Sequence, residues 1–200
     1  MNSVKKSRSL YFAAPVISTY ALSCLVLMAL CSLLPQGIAN QLISWFHSPN
    51  TVGFSSTEIK SYVQLVSHVI GHKNWAHLTV NLPLLLLLGV VVEQHYGSAV
   101  VLKLIFVTAV ISSLTSFFVF QTALLGASGI VFLLITLCVF VRKDSHRIPI
   151  EAFLVAIFFT TQELINSVRK DEVAQFAHII GAGVGFCYGL WFQKHPPVAD

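Results

Sequence analysis

Long apolar stretches, separated by short polar segments, dominate the sequence. An α-helix needs about 20 apolar residues to cross a hydrocarbon core about 30 Å thick, and six stretches approach that length. They cover residues 13–34, 76–95, 98–120, 126–141, 148–166 and 173–193. The pattern predicts an all-α polytopic membrane protein with six transmembrane helices, flanked by tails at residues 1–12 and 194–200.

The connection between the first two predicted spans, residues 35–75, is much longer than the other connections. It is too poor in Pro, Gly, Ser and charge to resemble a disordered linker. Within it, "IKSYVQLVSHVI" has apolar residues at amphipathic helical spacing. We therefore expect a structured loop that lies in the outer membrane interface.

Composition agrees with a membrane protein and gives an orientation. Of the 200 residues, 56% are hydrophobic and 10% are charged, well below the roughly 25% charged residues of soluble domains. The formal net charge is +4, but the basic residues lie at the ends of apolar segments, so membrane topology explains them better than nucleic acid does. Because the cytoplasmic side collects Lys and Arg, both termini are expected there. Seven basic residues are then inside (Lys5, Lys6, Arg8, Arg142, Lys143, Arg147, Lys194) and four outside (Lys60, Lys73, Arg169, Lys170).

Metal and disulfide chemistry have little support in the sequence. All four cysteines lie within predicted spans and form no CxxC pair, so they are expected to be small buried hydrophobic residues. His68 and His72, four residues apart, together with His77 leave a metal site open as an alternative. No carboxylate or cysteine joins them, however, and the sequence predicts no metal and no organic cofactor.

Four polar residues near the outer ends of the spans lie at one predicted depth: His77, Asn81, Ser128 and His178. At 1.5 Å of rise per residue, each is about 18–24 Å from the cytoplasmic end of its helix. That level is about 6–12 Å below the outer surface of the core. Independent structural residues have no reason to share a depth, so the coincidence indicates one site.

These side chains suit nucleophilic catalysis. Ser128 is the available nucleophile and His178 the available base. His77 and Asn81 share a face of the second span, where they could stabilise an oxyanion together with the Ser128 backbone amide. No aspartate lies within a predicted span, so the sequence predicts a Ser-His dyad without an acid unless an external glutamate assists.

Glycines flank both reactive residues. Gly181 and Gly185 follow His178 at small-xxx-small spacing, and Gly126 and Gly129 flank Ser128. Small residues let helix backbones approach closely. We therefore predict close packing of the fourth and sixth spans, which would bring Ser128 and His178 together.

Three motifs in these segments, over about residues 60–193, resemble those of the rhomboid intramembrane serine proteases. They are "HKNWAHLTVN" with His72, His77 and Asn81, "GASG" around Ser128, and "AHIIGAGVG" after Ala177. The resemblance implies a six-span protease domain at residues 13–193 in a prokaryotic cell (inner) membrane, with transmembrane segments of other proteins as substrates.

The same resemblance assigns roles to residues. It makes Ser128 the nucleophile, His178 the general base, and His77, Asn81 and the Ser128 amide the oxyanion site. His72 is expected to order the loop and Glu93 to be structural, while span 148–166 becomes a lateral gate. One departure is that Val63 and Gln64 stand where the family usually has Trp-Arg in its first external loop.

Two other functions remain open on the sequence. A non-catalytic rhomboid-like protein binds membrane clients without cutting them, although such proteins typically lose the serine or the histidine. A channel or proton-coupled transporter would use the intramembrane histidines as a relay, but paired intramembrane acids and an internal repeat are lacking.

Glu163, in the span 148–166, reaches the predicted depth of His77, Asn81, Ser128 and His178. It is interpreted as an interfacial residue or gate contact.

Overall fold

The computed structural model describes residues 13–50, 53–141 and 172–195, the side chains of the last segment from residue 175, and single helical positions at 154, 157, 158, 161 and 165. All regular secondary structure in this part of the chain is helical. The helices are α1 (Pro15–Leu33), α2 (Gln36–Ser44), α3 (Ile59–Ser67), α4 (Trp75–Tyr96), α5 (Ser98–Thr115), α6 (Ser128–Phe140) and α7 (Glu172–Lys194), and α5 continues as a π-helical segment, Ser116–Phe120.

The helices confirm the predicted class, an all-α polytopic membrane bundle. Three are long and apolar enough to cross a membrane, Pro15–Leu33, Trp75–Tyr96 and Ser98–Phe120, and α6 is a shorter apolar helix. Five predicted spans match helices to within two residues. Most of the sixth, span 148–166, lies outside the described residues, as do Glu163 and the terminal tails.

Helix α6 forms the centre of the bundle. Its apolar side chains Ile130, Leu133, Leu134 and Leu137 have no exposed surface, and it packs against α4 and, most extensively, against α7. Large apolar side chains on the outer helices are exposed instead, as on Leu22 and Phe106. An apolar exterior around an apolar core is what a lipid environment requires, because lipid does not penalise exposed hydrocarbon.

A buried carboxylate joins three helices at the end of the bundle where α1 begins. Glu93 is only 3% exposed. Its two oxygens accept hydrogen bonds from the backbone amides of Val16 (3.0 Å) and Ile17 (2.8 Å), and one also accepts from the Ser98 hydroxyl (2.6 Å). The first amides of a helix have no intrahelical partner and attract negative charge. Glu93 of α4 thus caps α1 and ties both helices to the start of α5.

The long connection is structured, as predicted. The amphipathic stretch forms α3, and α2, which the pattern does not reveal, precedes it. Gln64 of α3 donates to the Ser44 carbonyl at the end of α2 (2.8 Å), and Lys60 donates to the Ser44 hydroxyl (2.8 Å) while its ammonium lies 5.6 Å from the centre of the Trp45 ring. Gln64, one of the two residues replacing the family's Trp-Arg pair, therefore fastens α3 to α2.

Candidate active site

Ser128 is the first residue of α6, and the segment before it is held by the external connection. The Leu124 amide donates to the Ser48 hydroxyl (2.6 Å), and the Ser48 amide donates back to the Leu124 carbonyl (2.8 Å). Two residues further on, the Gly126 amide donates to the His68 carbonyl (3.0 Å). The segment that precedes Ser128 is therefore held at Leu124 by Ser48 and at Gly126 by His68.

Gly126 meets a backbone and a steric requirement at once. Its φ is +138°, a region that side-chain-bearing residues rarely adopt. A Cβ there would also lie 2.6 Å from Cε1 of the His77 ring. The sequence grouped Gly126 with the helix-packing glycines, but the structure places it before α6 and against His77.

The other three glycines lie where α6 and α7 cross. A Cβ on Gly129 would be 3.2 Å from the Ala177 carbonyl oxygen, and one on Gly185 would be 2.8 Å from that of Leu133. A Cβ on Gly181 would overlap the Gly129 carbonyl oxygen. The two backbones are therefore in direct contact, which only glycine permits.

His178 faces α6 at the level of Ser128. Its ring stacks on Phe132, with centroids 4.4 Å apart and planes 12° from parallel, and it is 3% exposed. Phe132 is four residues after Ser128 and so lies on the same face of α6. The neighbouring Gly129–Ala177 contact puts Ser128 and His178 on facing surfaces of two touching helices.

His77 and Asn81 lie on the first turns of α4. Asn74 caps this helix through a hydrogen bond from the His77 amide to its side-chain oxygen (2.8 Å). The Asn81 side-chain amide donates to the His77 carbonyl (3.0 Å), and Asn81 is 2% exposed. The His77 ring lies beside Gly126, two residues before Ser128, whereas Asn81 lies one turn further along α4.

A cavity of about 340 Å³ opens beside Ser128 and His77. Four polar lining residues were not among the site candidates that the sequence suggested: His47, Lys73, Thr108 and Ser112. Thr108 and Ser112 could have been found from the sequence, because they are polar, lie four residues apart within apolar α5, and polar residues inside a span often mark a functional site. His47 and Lys73 come from the connection, whose fold brings them to the site.

His68 and His72 are buried, 2% and 4% exposed, and His68 lines the cavity. His72 Nδ1 is 3.1 Å from the Ile70 carbonyl, and its ring meets that of His77 edge-on at 5.1 Å. Burial lowers the pKa of each to about 4, and for His72 the nearby His77 adds to the effect. Both rings are therefore neutral at pH 7. Within the described ranges, no group of three or more His, Cys, Asp or Glu residues is arranged to hold a metal.

Comparison with known proteins decides the family. The family model of the Rhomboid domain matches residues 60–195, well over half of the chain. The chain belongs to the rhomboid family. It is also similar to the Rhomboid protease GlpG of Haemophilus influenzae, with 27% identity over 178 residues that cover 85% of this chain and 90% of that protein. Family and apolar helices together make it an integral membrane protein.

The rhomboid match includes every residue that the sequence singled out for the site. Ser128, His77 and Gly126 meet at the cavity, and His178 lies behind Ser128 on the adjoining helix. The roles of these residues stay predictions, and they are developed next.

Proposed function

We propose that this rhomboid protein is an intramembrane serine endopeptidase that hydrolyses peptide bonds in or near transmembrane helices. The observation that carries the proposal is the pairing across α6 and α7. Ser128 opens α6 at the cavity, and the His178 ring stacks one turn below it on Phe132. A serine and a histidine on touching backbones are the minimum for nucleophilic acyl transfer.

In the acylation step, the Ser128 hydroxyl oxygen attacks the carbonyl carbon of the scissile bond while His178 accepts the hydroxyl proton. The tetrahedral intermediate collapses, the C–N bond breaks, and His178 returns the proton to the leaving amine. The product is an ester between Ser128 and the new carboxyl end of the substrate. The stacked Phe132 ring holds the plane of the His178 imidazole.

The negative charge on the intermediate needs donors aimed at it. Ser128 is in the first turn of α6, where backbone amides have no intrahelical partner and the dipole is positive. His77 lines the same cavity and supplies a ring N–H. Asn81, with one of its two amide hydrogens directed at the His77 carbonyl, keeps a second for the oxyanion or for orienting His77.

Hydrolysis of the ester requires water at this depth. The Thr108 and Ser112 hydroxyls are buried and, within the described residues, have no protein hydrogen-bond partner. Buried polar groups are costly unless they are hydrogen-bonded, and buried water is the usual partner. Because both residues line the cavity, we assign them to holding the water that His178 activates in deacylation.

The proposal includes a membrane topology. The protease domain comprises residues 13–193, with both tails cytoplasmic and the cavity open to the outside of a prokaryotic inner membrane. Span 148–166 is the gate through which a transmembrane segment reaches Ser128. No cofactor is needed, since the dyad and the amides supply all the chemistry.

The test is cleavage of a model single-span substrate by the purified protein in liposomes. Wild type is expected to cut it, while Ser128→Ala and His178→Ala abolish cleavage, and both variants should still fold as judged by thermal unfolding. Cleavage that persists in either variant would refute the dyad. A wild type that binds the substrate without cutting it would support the non-catalytic rhomboid-like alternative instead.

A further inference from the structure

Among the described residues that line the cavity, Lys73 is the single lysine or arginine. Lys73 is exposed and lines the cavity with Ser128 and His77. None of the described lining residues is a carboxylate. Of the acids whose side chains the structure describes, Glu93 is at the far end of α4 and Glu58 precedes α3, so neither lines the cavity beside Lys73.

The backbone holds this charge in place. Lys73 stands between His72, which is 4% exposed, and Asn74, whose side chain caps α4. Because both neighbouring residues are held in place, the Lys73 backbone and Cβ have a defined position at the edge of the cavity. The positive dipole ends of α4 and α6 converge on the same region, and together these sources give the cavity mouth a positive potential.

We propose that Lys73 is a specificity-determining residue that selects substrates with an acidic side chain close to the scissile bond. This inference rests on the proposed protease function. A cavity of 340 Å³ is about 9 Å across, or about three residues of extended chain. The favoured Asp or Glu therefore lies within about three residues of the bond that Ser128 attacks.

The experiment compares matched substrates in phosphatidylcholine vesicles, where no anionic lipid competes. Single-span substrates carry either Glu or the isosteric Gln at each position up to four residues from the cleaved bond. For wild type, kcat/KM at one position should favour Glu over Gln by about 1.5- to 5-fold, the range expected for an exposed ion pair. Lys73→Met should bring the ratio to one, Lys73→Arg should restore it, and Lys73→Glu should invert it toward Gln.

Lys60→Met is the matched control, because Lys60 belongs to the same connection but contacts Ser44 and Trp45 rather than the cavity. Its Glu/Gln ratio should equal that of wild type. A wild-type ratio of one at every position, or a ratio unchanged in Lys73→Met, overturns the inference. So does a Lys73→Met effect that appears only in vesicles with anionic lipid, which would assign Lys73 to a lipid phosphate. Absence of Ser128-dependent cleavage of both substrates would instead overturn the proposed function.

Discussion

Gly181→Ala tests whether backbone contact between α6 and α7 sets the reactive geometry. The new methyl group would overlap the Gly129 carbonyl oxygen and lie 2.9 Å from the Gly129 carbonyl carbon and 3.3 Å from the Leu133 amide nitrogen. All three atoms are backbone, so no side chain can rotate away. The helices must separate until these contacts reach ordinary van der Waals distances, which requires a movement of about 1 Å or more.

The magnitude follows from that movement. A displacement of about 1 Å in a reacting pair costs about 100-fold in rate, so kcat/KM should fall by about that factor or more. Overpacking costs about 1–3 kcal/mol, and the higher helix propensity of alanine offsets about 1 kcal/mol of it. The free energy of unfolding should therefore fall only modestly, and the activity loss should exceed what unfolding explains.

The chain contains its own controls for this experiment. A Cβ on Gly183, two residues along α7, meets nothing within 4 Å, whereas one on Gly185 lies 2.8 Å from the Leu133 carbonyl oxygen. Initial cleavage rates in liposomes and thermal unfolding should rank Gly183→Ala with wild type, Gly185→Ala between, and Gly181→Ala last. Full activity in Gly181→Ala, or an equal loss in Gly183→Ala, would refute the argument.

Four further outcomes are expected. Gly126→Ala should lower kcat/KM by at least about tenfold, because strain at φ +138° and a clash with the histidine ring both displace the lead-in to the nucleophile; unchanged kinetics would refute this. Glu93→Gln should lower the free energy of unfolding by about 1–3 kcal/mol, because an amide replaces the carboxylate that accepts hydrogen bonds from the first amides of α1; KM should change little. Ser112→Ala should slow turnover while phosphonylation of Ser128 by a fluorophosphonate, which releases fluoride and needs no water, stays near the wild-type rate; equal slowing of both would argue against the water role. The free energy of unfolding should fall as pH drops from about 6.5 toward 4, because His68 and His72 have a pKa of about 4 in the folded protein and about 6.5 in the unfolded chain, which therefore binds protons first. The full effect is about 3 kcal/mol for each ring. A flat profile of unfolding free energy against pH would contradict this.

The sequence predicted the helices on which the candidate site lies, because membrane thickness imposes a length on apolar stretches. It also predicted the close packing of α6 and α7, because the small residues on both helices are visible in the sequence. The first turn of α4 was likewise marked by His77, and the structure puts that ring against the segment before Ser128.

Other features depend on contacts that sequence spacing does not encode. The partners of Glu93 on α1 are 76 and 77 residues away. Helix α2 has only nine residues, too few for a strong periodic signal, and packing against α1 stabilises it. Lys73 and His47 reach the cavity only because the connection folds back over it, so a pattern of hydrophobic positions gives no reason to single them out.

The connection between α1 and α4 lines the cavity and also holds the segment that leads into α6. Its residue Ser48 pairs with Leu124, and the His68 carbonyl holds the Gly126 amide two residues before Ser128. The same connection is fastened at its outer side by the bond from Gln64 to Ser44. His68 directly follows α3, so the Gln64 bond fixes the helix next to the carbonyl that holds the Gly126 amide. Gln64, at one of the two positions where the family usually has Trp-Arg, thus fastens the part of the connection that leads to the start of α6.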